Sequence, residues 1–466
     1  MTQIIKIHAP FDGELLAELP ASSDQQIEQA LVTAHALYRN RSGWLKKPQR
    51  IEILKKAATI IASRREELAR LVAQECGKPY KDSLIEVDRG VDCLHICVEE
   101  LRTKAGSVIP MDLNATSAGR IAFTQHEPIG VVLGVSAFNH PFNLVVHQAA
   151  PAIAVGAPVI IKPALKTPLS GYAFVSILHE AGLPKEWAQV VLPQENEQVA
   201  KLVADPRVGF FSFIGSAAVG WMLRSKLAAG TRCALEHGGV APVIVAHDAD
   251  LDMAIPRLAR GGFWHAGQAC VSVQRVFADR RVAREVAERL AAAGKKMVVG
   301  NPVLETTDIG PIISHQENNR IHDWVQNAVN EGAELICGGK KISDSCYEPT
   351  VLLNPPRNSD VMRKEVFGPV ICVYSFDEVD QALEEANSLP FSFQAAVFTQ
   401  NLDTALHCYQ QLDGTAVMVN ENTLFRVDWM PFAGARNSGH GVGGIPFTMH
   451  EMQIEKMMVW RSDVLN

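Results

Sequence analysis

No uninterrupted apolar stretch in the 466 residues is long enough to cross a bilayer, so no transmembrane span is expected. The opening Met-Thr-Gln-Ile-Ile-Lys-Ile-His lacks a basic region followed by an apolar core, so no secretory signal is expected. Lys and Arg form no run, and 44 of them stand against 51 Asp and Glu, a formal charge of −7. That balance argues against a nucleic-acid or anionic-membrane partner. An anionic small molecule would have to be drawn by a local arginine. Nine cysteines, an odd number without disulfide-scaffold spacing, point to a reducing compartment, the cytoplasm. Cys93 and Cys97 are four apart, but no further Cys or His pair stands near them at zinc-ligand spacing. No metal site is expected. Internal repeats and low-complexity tracts are missing as well.

What is present is a globular composition, 47% hydrophobic and 20% charged, in a chain long enough for two or three domains. Ser23-Asp24 caps a first helix in which Ile27, Ala30, Leu31, Ala34 and Leu37 recur at helical spacing. Pro48 opens a second, and two more follow through about 66–76 and 81–104. Residues 107–110 and 120–127 read as extended segments around a polar loop. They suit either an arm that packs on another subunit or an edge hairpin of this one. From Gly130 strands and helices alternate: strands at 130–138, 158–162, 189–192, 209–214 and 241–245, with helices at 141–155 and 170–181. A second series has helices at 282–293 and 318–332 and strands at 370–374 and 395–398. Such alternation predicts an α/β fold with two open parallel sheets, joined near 236–239. The last residues, 449–461, can pair with the arm.

Four short stretches carry candidate chemistry. Cys270 lies among small residues in Gly267-Gln268-Ala269-Cys270, which leaves room for a substrate to reach its sulfur. Glu236 precedes His237-Gly238-Gly239; Asn139 follows an apolar strand in Phe138-Asn139-His140-Pro141; Glu365 and Phe367 lie in Lys364-Glu365-Val366-Phe367-Gly368-Pro369. In Phe213-Ile214-Gly215-Ser216 a buried strand runs into a helix whose first N–H groups can meet a phosphate, or make an ordinary Ser-capped turn. Lys162 ends a buried strand, where its charge needs a partner. The letters of a dinucleotide-binding loop occur at Gly439, Gly441 and Gly444, but no buried strand leads in and no βαβ unit remains. That segment reads as a flexible loop.

In order and spacing, with Cys270 34 residues after Glu236, these stretches resemble the aldehyde dehydrogenase superfamily over nearly the whole chain. The resemblance implies a dinucleotide-binding domain over 1–105 and 127–237, a catalytic domain over 238–440, and an oligomerisation arm from 106–126 and 447–463. It implies a homodimer or homotetramer and NAD or NADP as cofactor. Cys270 would be the nucleophile, Asn139 the oxyanion amide and Glu236 the base for water. Lys162 would meet the adenosine ribose, Ser216 after Gly215 the pyrophosphate, and Glu365 with Phe367 the nicotinamide ribose and ring. Ala137, Phe138, Val219 and His237 complete the cofactor-binding set. Two positions depart from the pattern. Leu165, with Lys166 beside it, stands where NAD-preferring relatives carry a glutamate, which removes the repulsion of a 2′-phosphate. His237 stands where leucine is usual.

The Phe138–Asn143 run resembles the branch containing lactaldehyde, succinate-semialdehyde and phosphonoacetaldehyde dehydrogenases. Arg89, His140 and Arg426 are then three cationic candidates for the tail of a short anionic aldehyde. Each arginine has a plain alternative as a structural ion pair, with Asp428 available to Arg426. Three other functions stand beside oxidation to the acid. An acylating enzyme would use coenzyme A in place of water, a silent binding protein could keep the fold, and a cysteine hydrolase would need His265 as base.

Overall fold

A computed structural model describes residues 3–465. The first helix, Asp24–Arg39, begins at a reciprocal cap: Ser23 Oγ accepts from the Gln26 N–H, and the Gln26 amide oxygen accepts from the Ser23 N–H. Its buried face is Ile27, Ala30, Leu31 and Ala34, the periodicity visible in the sequence. Helices Lys47–Ser63, Arg65–Cys76 and Tyr80–Thr103 follow and pack with the wholly buried helix Asn143–Val155 into one apolar cluster.

Two parallel sheets form the body. The first runs, in spatial order, Gly439–His440, Arg232–Glu236, Val208–Ile214, Val131–Val135, Val159–Lys162 and Ala188–Val190. All of these strands are parallel except Gly439–His440, which lies antiparallel at the edge. The second sheet runs Glu334–Cys337, Thr350–Leu353, Val370–Phe376, Arg275–Asp279, Pro242–Val245, Gln394–Phe398 and Ala416–Val419. It is likewise parallel but for its first strand. Strands such as Val131–Val135 and Arg275–Asp279 are buried along their whole length, as sheets covered on both faces require. A separate antiparallel sheet joins Gln453–Arg461 to Arg120–Pro128 and Val108–Ile109.

Two expectations change. The apolar run from Gly130 is a strand only through Val135; Ser136 to Phe142 turn off the sheet, and the helix starts at Asn143. Pro141, which has no N–H to give a ladder, sits in that turn. The glycine-rich segment at 439–444 is no loose loop. Gly439 and His440 pair with Glu236 and Leu235, and Gly443 exchanges backbone hydrogen bonds with Phe432. Among the described residues no helix is long and apolar enough to cross a membrane.

Candidate active site

Open α/β sheets present their loops at the carboxyl ends of the strands. At that edge of the first sheet, Asn139 follows Val135, Lys162 ends its strand, Gly215-Ser216 follow Ile214, and Glu236 closes the last parallel strand. Gly238-Gly239 then cross to the second sheet, whose amino-terminal edge carries Cys270 ahead of Arg275 and Glu365 ahead of Val370. The two edges enclose a cavity of about 1140 Å³. Every residue that the family resemblance assigned to the reaction, the cofactor or the aldehyde tail lines it: Cys270, Glu236 and Asn139; Ala137, Phe138, Lys162, Gly215, Ser216, Val219, His237, Glu365 and Phe367; Arg89, His140 and Arg426.

The cysteine sits after a tight turn. His265, Ala266 and Gly267 all have positive φ, at 49°, 54° and 70°. Gly267 is pressed against the Gly368 carbonyl, where a side chain has no room. Gln268 pins the turn from within: its amide donates to the carbonyls of His265 and Pro311, and its oxygen accepts from the Ile313 N–H at 2.9 Å. From the other sheet Asn139 donates to the Gln268 carbonyl at 3.0 Å. Burial, and after it the Glu365 carboxylate, push the Cys270 thiol up to about 12, with Arg426 pulling the other way. Burial also raises the Glu236 carboxyl, again opposed by Arg426. His265 is fully buried with both ring nitrogens unpartnered and held neutral by burial and Lys78. No hydrogen bond joins it to Cys270 among the described residues.

Three groups present polar atoms suited to a dinucleotide. Glu365 Oε1 is buried without a partner, and burial lifts this carboxyl to about 8 against a hydrogen bond from the Gly239 N–H. Ser216 starts the helix Ala217–Arg224, but its hydroxyl makes no cap bond. The Lys162 ammonium has no acceptor among the described residues, and burial lowers it to about 8. Phe138 and Phe367 meet edge to face, ring centroids 5.7 Å apart. His237 is buried, its Nδ1 2.9 Å from the Asn437 carbonyl, its ring between Phe213 and Trp221, and its unpartnered Nε2 against Gly220.

The three cationic candidates have different surroundings. His140 is neutral: burial and the Lys78 ammonium, 2.8 Å from its Nδ1, lower it to about 4. Arg89 is committed to Asp428 through bonds of 2.6 and 3.0 Å. Asp428 also accepts from His147 at 2.8 Å, so the carboxylate expected beside Arg426 is shared with Arg89 and His147. Arg426 lies 3.9 Å from it through Nε, which has no hydrogen-bond partner, and lays its guanidinium 3.6 Å over the Phe432 ring. Phe432 packs in the cluster that holds Cys270 and Leu424. Cys93, His147 and Asp428 also converge within metal-ligand reach, which the linear spacing did not show. Arg89 and His147 already take the carboxylate oxygens there. Asp428→Ala should destabilise the protein by about 3–5 kcal/mol, because Arg89 and His147 lose their acceptor. An unchanged urea-unfolding midpoint would contradict that.

Residues 1–458 match the family described as the aldehyde dehydrogenase family. The chain belongs to that family. Among its relatives, 3-sulfolactaldehyde dehydrogenase of Priestia aryabhattai is 36% identical over 444 residues, 95% of this chain and 92% of that one. Aldehyde dehydrogenase 21 from Physcomitrella patens, solved with its product succinate, superposes with a TM-score of 0.94 at 34% identity, covering 99% of this chain and 95% of that one. Glyceraldehyde-3-phosphate dehydrogenase from Methanocaldococcus jannaschii, complexed with NADP, gives 0.93 at 32%, covering 99% and 100%. The dehydrogenase keeps features that its motifs alone did not reveal. Gly443 touches the Glu236 carboxylate, and a Cβ there would collide with it. Gln268 pins the turn before Cys270, and Glu86 accepts from the Phe142 and Asn143 N–H groups just after Asn139. The glycines at 439–444 were the available signal for the first of these; nothing in the linear sequence marked the other two.

Proposed function

We propose that this aldehyde dehydrogenase oxidises a short aldehyde with an anionic tail to the carboxylic acid, using NAD or NADP. The observation that carries this reading is the cavity itself. It brings Cys270, Asn139 and Glu236 to one junction and sets the Arg426 guanidinium, whose nearest carboxylate is Asp428 at 3.9 Å, on the ring that packs toward Cys270. Glu365, Phe367, Lys162 and Ser216 would hold the dinucleotide, with Ala137, Phe138, Gly215, Val219 and His237 around it. When bound, the oxidised dinucleotide supplies the acceptor for the aldehyde hydride.

Cys270 Sγ, as thiolate, adds to the carbonyl carbon to give a thiohemiacetal. Its oxyanion takes hydrogen bonds from the Asn139 amide and the Cys270 N–H, donors set before the charge develops. Loss of hydride leaves a thioester on Cys270. Glu236 then removes a proton from water as the oxygen attacks the thioester carbon, and the C–S bond breaks to release the acid and regenerate Cys270. A carboxylate in this position favours water over coenzyme A as the releasing group, and the complete set speaks against a silent binding protein.

The relatives with sulfonate, carboxylate and phosphate in their named ligands make an anionic tail the natural class here. Arg426, with Arg89 tied to Asp428, is the residue that would meet it. Arg426→Met should raise KM for an anionic-tailed aldehyde about 10- to 100-fold, the worth of a charge-assisted contact, while leaving KM for a neutral aldehyde of equal length within about twofold. Equal effects on both would return Arg426 to a structural role.

The first sheet with its preceding helices, 1–105 and 127–237, serves as the dinucleotide-binding domain, and 238–440 as the catalytic domain. Strand Gln453–Arg461 leaves Met457, Met458, Val459 and Trp460 exposed, which supports 106–126 and 447–463 as an arm for a homodimer or homotetramer. Nine unpaired cysteines support a cytoplasmic setting.

A further inference from the structure

Behind the Asn139 turn lies a fully buried ion pair that the reaction does not use directly. Lys78 and Glu86 have side chains 0% and 1% exposed and bond to each other. Ion pairs so deeply buried gain little stability over apolar residues of the same size, so their contacts merit tracing. Glu86 Oε1 accepts two backbone hydrogen bonds, from the N–H groups of Phe142 and Asn143, each at 3.0 Å. These N–H groups open the helix Asn143–Val155, whose own N-cap residue, Phe142, supplies no side-chain cap. A carboxylate from a different helix therefore caps it, where the helix dipole favours negative charge.

Lys78 carries the brace to the neighbouring residue. Its Nζ is 2.8 Å from His140 Nδ1 and 5.3 Å from the centroid of the Trp264 ring. His140 in turn faces Trp264, ring centroids 5.3 Å apart. Trp264 begins the left-handed turn that leads to Cys270, and Asn139 closes the bracket by donating to Gln268. The chain from Asn139 to Asn143 is thus held from behind at both ends of its turn.

We propose that Glu86, with Lys78, is a positioning residue pair that fixes the Asn139 amide in register with Cys270. This rests on Asn139 being the oxyanion donor. The test replaces the pair in two ways. Lys78→Met with Glu86→Gln removes both charges but leaves an amide oxygen to accept from Phe142 and Asn143. Lys78→Met with Glu86→Leu removes the acceptor as well, and its interior stays neutral and filled. Each double variant is made in the wild-type chain and in an Asn139→Ala chain, with kcat, KM for aldehyde and cofactor affinity measured.

The glutamine pair should keep kcat within about threefold of wild type. The leucine pair should lose about tenfold or more in kcat, a fraction of the roughly 10²–10³ that an oxyanion donor is worth, with KM and cofactor affinity within about twofold. In the Asn139→Ala chain the two pairs should give the same kcat. Equal kcat for the two pairs in the wild-type chain would overturn the proposal, as would a loss that persists undiminished without Asn139. Loss of cofactor binding by the leucine pair would also overturn it, by showing that the cap holds the fold. Full activity of Asn139→Ala alone would instead sink the oxyanion reading beneath it.

Discussion

Cys270→Ala is expected to lower aldehyde oxidation by roughly 10⁴- to 10⁶-fold while leaving dinucleotide binding intact, since the variant keeps every other cavity group but forms no carbon–sulfur bond. The eight other cysteines do not line the cavity, so none can take over. A free thiol has a pKa of about 8.5. Here burial, and after it Glu365, push the Cys270 thiol up to about 12. Activity in the alanine variant within about tenfold of wild type would show that another group attacks the carbonyl.

Glu236→Gln should separate the two halves of the reaction. Addition and hydride loss need no base for water, so the variant should release a burst of reduced cofactor of about one per site. Its steady-state rate should then fall about 10²- to 10⁴-fold, because the thioester persists. The pH dependence follows from the same residues. Both Cys270 and Glu236 act deprotonated, and burial raises both. The wild-type rate should therefore rise with pH, and its acid limb should lie above the ordinary carboxylate range. In Glu236→Gln the burst should retain the thiol's pH dependence. Unchanged steady-state turnover would remove Glu236 as the base.

Much of this molecule is legible in the sequence where the signal is local. The capping pair at Ser23 and the apolar strand before Asn139 announce themselves within a few residues. So do the turn at Gly215-Ser216 and the small residues before Cys270. Pairings between distant segments are not written that way. Arg89 and Asp428 are 339 positions apart, and Asp428 sits so near Arg426 in the chain that the nearer partner is the natural guess. His140 reads as a cation until Lys78, 62 residues away, is found against its ring. The glycines from 439 onward carry the letters of a phosphate loop because they, too, need close approach; what approaches is the Glu236 strand with its carboxylate and, at Gly444, the Met430 carbonyl. Residue types report a local demand for space or charge, and only the fold says what meets it.

The central claim is that Cys270 becomes acylated by the substrate's own carbon. The direct measurement is mass spectrometry of Glu236→Gln after mixing, in separate samples, with NAD or NADP and a short anionic-tailed aldehyde, followed by peptide mapping. The adduct should equal the aldehyde less two hydrogen atoms, sit on the peptide that contains Cys270, and need the oxidised cofactor. An adduct on another cysteine, or reduced cofactor formed with no adduct at any stage, would contradict the account.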